Sequence, residues 1–254
     1  MTTLENDSRG LLVINADDWG RDRTTTDKIL ECTNVGTVSS VSAMVFMEDS
    51  ERAAALSREG AIDSGLHLNL TTRPTGKCSQ AFLDRQERVG SYLLGHRLAQ
   101  VVFHPGLIRS FEYLVSAQID EYRRLYGIDP QRLDGHHHMH LSANVRLQRL
   151  MPSGTIVRRN FSFQPGENSL PNRLYRRGVD ARLARRHRIL DYFFSLPPLS
   201  PPRRIERIFD LARRCSVEVE THPVQPDEYQ FLTQGSIREC IQGLRFGPAS
   251  VARR

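Results

Sequence analysis

The sequence predicts an α/β fold built on a parallel sheet or barrel. Short apolar runs alternate with segments of helical period along the chain. Several of those runs end in aspartate or histidine, and parallel sheets carry their chemistry at the carboxyl ends of strands. No internal repeat and no low-complexity linker interrupts the alternation. The chain has 254 residues, 39% hydrophobic and 25% charged. That composition excludes collagenous, disordered and disulfide-scaffold classes, and the length suits one large barrel domain. We therefore expect residues 1–254 to form a single domain, with 1–9 a flexible polar N-terminal tail.

The elements follow in order. Leu11–Ile14 is a continuous apolar run ending at Asn15-Ala16-Asp17-Asp18, as expected of a strand buried on both faces. Thr24–Val35 has helical period and stops at Gly36. Val38–Phe46 is a second strand, and the alanine-rich Ser50–Arg58 a second helix. Gly65–Leu70 alternates as a third strand. Thr71–Gly90 carries Pro74 and Gly76 with little periodicity and is expected to be loop. Ile108–Tyr126 places Phe111, Leu114, Val115, Ile119, Tyr122 and Leu125 on one helical face, and Gly127 closes it. Arg132–Gly135 leads, strand-like, into His136-His137-His138-Met139-His140, followed by a helix over Ser142–Leu150 and a short strand over Thr155–Arg158. A loop over Ser162–Pro171, an arginine-dense helix over Asn172–Arg188, a proline-rich connector over Leu196–Pro202 and a helix over Ile205–Arg214 come next. Val217–Glu220 is the last strand, ending at Thr221-His222-Pro223.

Charge and cysteine content bound the function. The formal net charge is +6, and Lys28 and Lys77 are the only lysines among 35 basic residues. Arginine suits forked contacts to carboxylate or phosphate, but so mild an excess does not point to nucleic acid. Cys32, Cys78, Cys215 and Cys240 lie far apart, which reads as reduced and mostly buried thiols. The polar N-terminus is not a signal peptide, no apolar run is long enough to span a membrane, and a cytoplasmic location is expected. For the arginine-rich helix a solvated face is the first reading. Anionic lipid head groups or phosphorylated sugars are the second.

Chemistry concentrates in four places. Asp17 and Asp18 are adjacent carboxylates that can both face a pocket where a strand turns, one binding a metal and the other acting as base. Four histidines within 136–140 are hard to explain as core packing, and imidazole is the commonest protein ligand for divalent metals. His136 and His138 share a face if the segment is extended, His136 and His140 if it is helical. Asp18, His67 and one cluster histidine would make an Asp-His-His set with an open position for water and a substrate oxygen. His222 reads as a general acid facing Asp17 across the site.

Asn15–Gly20, Gly65–Thr71, Leu133–His140 and Thr221–Pro223 together resemble, in order and spacing, the YdjC-like (ChbG/HpnK) carbohydrate deacetylases. The resemblance spans residues 11–223. It implies a distorted (β/α) barrel related to polysaccharide deacetylases and metal-dependent removal of an acetyl group from an N-acetylated sugar. It implies Asp18, His67 and His136 as metal ligands, with His138 or His140 as alternatives to His136. It further implies Asp17 as base, His222 as acid and Arg158 as substrate contact. Trp19 stands where phenylalanine is more usual, which bears on the pocket floor. The arginine-rich segment and Asp227–Leu232 have the character of a subgroup and set the sugar chain of better-known members in question. The cofactor expected is a divalent ion, zinc by ligand type or magnesium. The partners expected are an N-acetylated sugar, a homodimeric second copy and a surface contact with anionic lipid, with no nucleic acid and no membrane span. A metal-dependent phosphoesterase on a similar barrel and a non-catalytic sugar-binding protein are the alternatives.

Overall fold

A computed structural model describes residues 10–95, 98–163 and 169–252; the expected tail over 1–9 and the centre of the expected 162–171 loop lie outside them. The elements alternate as β1 (Leu11–Trp19), α1 (Arg23–Asn34), β2 (Ser40–Ala43), α2 (Ser50–Glu59), β3 (Ser64–Leu68), α3 (Gln80–Gly95), α4 (Ile108–Tyr126) and β4 (Arg132–Gly135). Then come α5 (Ala143–Leu147), β5 (Ile156–Val157), α6 (Leu170–Leu183), β6 (Tyr192–Ser195), α7 (Arg203–Ala212), β7 (Ser216–Thr221), α8 (Pro226–Thr233) and α9 (Gly235–Ile241).

The seven strands form one sheet in the order β5-β4-β3-β2-β1-β7-β6. All pairings are parallel. The two edges curl toward each other: Val157 N–H donates to Arg188 O (2.8 Å), and Ser162 N–H to Phe193 O (2.8 Å). The result is a distorted parallel barrel wrapped by helices. β1 sits in the middle of the sheet, and every one of its residues is buried. That explains its unbroken apolar run: a strand covered on both faces has no solvent side to mark with polar residues.

The helices close the outer layer by conventional means. The Asp22 carboxylate accepts from Thr25 N–H (2.8 Å) and caps α1. α4 buries Phe111, Leu114, Val115, Tyr122 and Leu125 and ends on Gly127 in the left-handed region (φ 74°), as its periodicity and glycine predict. Each such side chain stabilises by about 1.5–3 kcal/mol relative to exposure.

Several expectations are corrected. Part of the Thr71–Gly90 loop is helix α3. Its buried Phe82, Gln86, Val89 and Leu93 do follow helical spacing, but Gln86 disguises the stripe. Gln86 is buried because its Nε2 donates to Thr72 O (2.6 Å). β6 is a four-residue strand too short to show a period, and α8 and α9 follow the last expected strand. The thiols are all free, but only Cys32 is buried. No helix among the described residues is long and apolar enough to cross a membrane.

Candidate active site

β1 carries a bulge at its carboxyl end. Ala16 pairs with Val41 and Trp19 with Ala43, so β1 spends three residues where β2 spends two. The extra residue is accommodated at Asp18, whose φ is 70°, a strained left-handed position for a non-glycine residue. The bulge cancels the alternation that would send adjacent side chains to opposite faces. Asp17 and Asp18 are therefore both buried at one site, approaching His67 Nε2 to 3.9 and 3.5 Å. Trp19 points the other way. It is wholly buried, and its indole N–H bridges Ala53 O (3.1 Å) and Ser57 Oγ (3.0 Å) on α2, so it roots the strand rather than forming a pocket floor.

The histidine cluster is neither extended nor α-helical. His137 and His138 both take positive φ (52° and 57°), and the chain coils into a tight turn over His136–Leu141. The His136 and His137 rings lie against each other (centroids 4.0 Å), while His138 and His140 turn to other partners. His136 Nδ1 approaches Asp18 Oδ1 to 3.1 Å. His137 pairs with Thr71 Oγ1 at the surface (3.0 Å). His138 lies edge-on to Phe161 and Phe193 with Nε2 3.7 Å from Glu220. His140 is fully buried with Nε2 2.9 Å from Arg158 O. Burial dominates His140 and pushes its pKa down to about 4. Burial, then the Arg158 charge, lowers His138 as well. Gly135 permits this turn, because a Cβ there would sit 3.0 Å from the His140 backbone nitrogen and Cβ.

Asp18, His67 and His136 each bring a ligand-type atom into one buried cluster, all within 4.8 Å of one another. Their hydrogen bonding leaves lone pairs facing inward. His67 Nδ1 is 2.7 Å from Asp134 Oδ1, which fixes a proton there and makes Nε2 the nitrogen that can bind a cation. Asp18 Oδ1 is buried and faces both imidazoles, His136 Nδ1 at 3.1 Å and His67 Nε2 at 3.5 Å. One carboxylate and two imidazoles converging in this way suit a cation. A second cluster, Asp17, His67 and Asp134, is also within reach. It suits a cation less, because Arg158 already supplies positive charge to both carboxylates.

Arg158 is 2% exposed. Nη1 and Nη2 grip the two Asp17 oxygens at 2.7 Å each; Nε donates to Glu218 (2.7 Å) and Nη1 also to Glu220 (3.2 Å). Its Nη2 lies 3.0 Å from Asp134 Oδ2. The guanidinium expected to meet substrate is instead enclosed by four carboxylates, one of which, Asp134, it shares with the buried Arg132, whose Nη1 lies 3.3 Å from Oδ2. Burial alone would raise Asp17, but the Arg158 guanidinium holds it below the ordinary carboxylate range. Asp134 is held low in the same manner. Asp18 is also low: burial opposes its charge, and His136 and His67 outweigh burial. Burial opposes a charged His67, yet Asp17 and Asp134 raise it to about 10, so a cation bound at Nε2 would take the place of the proton there. Glu220 goes the opposite way, raised well above the ordinary value by burial and then by Asp17. Glu218 is raised chiefly by burial.

His222 follows directly after β7. Ala16 of β1 is in register with Thr221 of β7, so Asp17 and His222 leave adjacent strands at the same level. Glu228 on α8 anchors the turn by accepting from Thr221 Oγ1 (2.7 Å) and His222 N–H (2.9 Å). Residues absent from the expected site are Asp134, Glu218, Glu220, Asn15 and Ser42. Asn15 Nδ2 donates to Asp17 (2.7 Å), and the Ser42 hydroxyl donates to Asp134. A signal existed for the glutamates: in Val217-Glu218-Val219-Glu220 the charges recur with period two on a strand whose residues from Val217 to Thr221 are all buried.

Similarity to known proteins agrees with this layout. The sequence profile of the YdjC-like protein family matches residues 11–242. A carbohydrate deacetylase of Mus musculus is 36% identical over 137 residues, covering 53% of this chain and 44% of that protein. This chain thus spans less than half the length of that relative. A chitooligosaccharide deacetylase of Proteus mirabilis is 26% identical over 255 residues, covering 91% of this chain and 93% of that one. In fold, a provisionally assigned cellobiose-phosphate cleavage protein of Enterococcus faecalis superposes with TM-score 0.67 at 19% identity, covering 96% of this chain and 99% of that one. The catalytic domain of a peptidoglycan N-acetylglucosamine deacetylase from Eubacterium rectale superposes with TM-score 0.51 at 11% identity, covering 100% of this chain and 94% of that one. Because the profile match runs from the first strand through the last and takes in every cluster described above, the chain belongs to the YdjC-like protein family.

Proposed function

We propose that the protein is a metal-dependent carbohydrate N-deacetylase that removes acetyl groups from N-acetylated sugars. The observation that carries this reading is the buried triad Asp18, His67 and His136, whose ligand-type atoms converge beside a second carboxylate, Asp17, that Arg158 and Asn15 hold ionised. The relatives named as carbohydrate and chitooligosaccharide deacetylases support it. One continuous sheet supports reading the chain as one domain.

Asp18, His67 and His136 would hold the cation, and one carboxylate with two imidazoles favours zinc over magnesium. A divalent cation there supplies Lewis acidity toward the acetyl carbonyl. Asp17 takes the proton of the attacking water. Arg158 and Asn15 keep Asp17 ionised and aimed, so we assign Arg158 a positioning role. Asp134 sets the His67 tautomer. His222 protonates the departing sugar nitrogen.

The test is acetate release from N-acetylated mono- and oligosaccharides by protein purified without a histidine tag, before and after chelation and zinc return. Acetate that disappears on chelation and returns with zinc is expected. Phosphate release from phosphorylated sugars without acetate would favour the phosphoesterase reading, and tight sugar binding without turnover the binding-protein reading. A cytoplasmic location, a homodimer and a surface contact with anionic lipid belong to the same reading. Fractionation, light scattering and vesicle flotation test them in turn.

A further inference from the structure

The turn that follows β1 brings Arg21 back over the site. The Arg21 N–H donates to Asp18 O (3.1 Å), closing a turn over residues 18–21. Gly20 takes the left-handed conformation (φ 86°), and a Cβ there would stand 3.2 Å from Ala53 Cβ, Met44 O and Ser50 Cα. On the other side Asp22 is fixed as the cap of α1. The Arg21 backbone is thus pinned at both ends, and its side chain folds back onto the aspartate three residues earlier. Nη1 donates to Asp18 Oδ2 at 2.9 Å. The Arg21 side chain is 39% exposed and that of Asp18 4%, so the guanidinium covers the carboxylate from the solvent side. Two other pairs of the same spacing, Arg123–Asp120 and Arg213–Asp210, are more than half exposed on both partners and are ordinary surface pairs.

The two Asp18 oxygens therefore face different groups. Oδ1 faces His136 Nδ1 and His67 Nε2, and Oδ2 is turned to Arg21. An unrestrained carboxylate binds a divalent cation through one oxygen or through both. A catalytic zinc site keeps three protein ligands and an open position, which a second carboxylate oxygen would fill. A charge-assisted hydrogen bond to Oδ2 opposes that. Asp134 sets which nitrogen of His67 faces the site; Arg21 sets which oxygen of Asp18 does.

We propose that Arg21 is a positioning residue that holds Asp18 to one-oxygen ligation of a divalent cation and so keeps a coordination position open for the substrate. Its effect on turnover rests on the deacetylase reading; its hold on Asp18 does not.

Two measurements test the two parts separately. The metal-free full chain is loaded with cobalt(II), whose d–d absorption weakens as its coordination number rises, and zinc affinity is measured by competition with a chromophoric chelator. Wild type, R21M, R21K and R23M are compared, the last removing an exposed charge from the start of α1. R21M releases Oδ2, so its cobalt bands should be weaker than those of wild type while zinc binds at least as tightly. R21K, which keeps a cationic donor, and R23M should keep the wild-type bands. Identical bands in wild type and R21M, bands equally weakened in R23M, or no cobalt binding by wild type overturn the proposal. Zinc bound more weakly by R21M also overturns it, because Arg21 would then support the site rather than restrain it. Acetate release from an N-acetylated chito-oligosaccharide is then measured on the zinc-loaded proteins. A kcat about 10–100-fold lower in R21M, largely recovered in R21K, is expected, and equal kcat overturns the turnover clause. No acetate from any of the four refutes the deacetylase reading, and the cobalt spectra still decide the role of Arg21.

Discussion

Replacing Arg158 by methionine keeps the bulk of the side chain and removes its charge. The structure makes this severe. The guanidinium donates to both oxygens of Asp17, to Glu218 and to Glu220, and lies 3.0 Å from Asp134, all inside the barrel. Breaking a buried ion pair from one side costs about 3–5 kcal/mol, because the remaining charge is left uncompensated. At about 2–4 °C per kcal/mol for a chain of this size, the melting temperature should fall by roughly 6–20 °C. The pH dependence has a definite sign. Asp17 and Asp134 are depressed in the folded state, so their contribution is present above the ordinary carboxylate value of 3.8 and is lost as pH falls through the depressed values. The stability gap between wild type and R158M should therefore be widest at neutral pH and close in acid. The acidic limb of the pH–rate profile should move upward, because burial acts unopposed on Asp17. R158K, which keeps the charge but loses the fork, should fall between. Thermal and urea denaturation followed by circular dichroism, with pH–rate profiles, measure all of this. A variant within about 1 kcal/mol of wild type at pH 7, with an unmoved acidic limb, would refute the positioning role.

Two further outcomes follow from neighbouring groups. Asp134→Asn frees the His67 tautomer and should weaken zinc binding by about 10–100-fold in competition titrations; unchanged affinity would remove Asp134 from the site's design. Glu220 is raised in the folded protein, so its contribution is fully present below the ordinary value of 4.5 and is lost as pH rises through the raised value. E220Q should therefore gain stability relative to wild type as pH rises above the ordinary carboxylate value. A flat or falling difference would contradict that.

The parallel layout was readable because β1 is apolar without interruption and α4 keeps a clean stripe closed by Gly127. The strands bearing Asp18 and His67, and the segment bearing His136, were readable for the same reason. The bulge was not, because nothing in Asn15–Trp19 announces an extra residue in the ladder, and without it two adjacent aspartates would diverge. The cluster's geometry was equally hidden: consecutive left-handed histidines have no pattern in sequence, and they separate rings that regular structure would pair. α3 escaped because its stripe includes Gln86, whose burial depends on a loop carbonyl from Thr72. Arg158 was visible as a residue but not in its role. Four carboxylates from β1, β4 and β7 surround it, and only the register of those strands brings them together.

Acetate release by zinc-loaded wild type and zinc-loaded D17N, measured side by side on an N-acetylated chito-oligosaccharide, tests the central claim most directly. The account predicts turnover by wild type and a loss of about 10²–10⁴-fold in D17N, with equal zinc content in the two proteins. Equal rates, or no acetate from either, would contradict it.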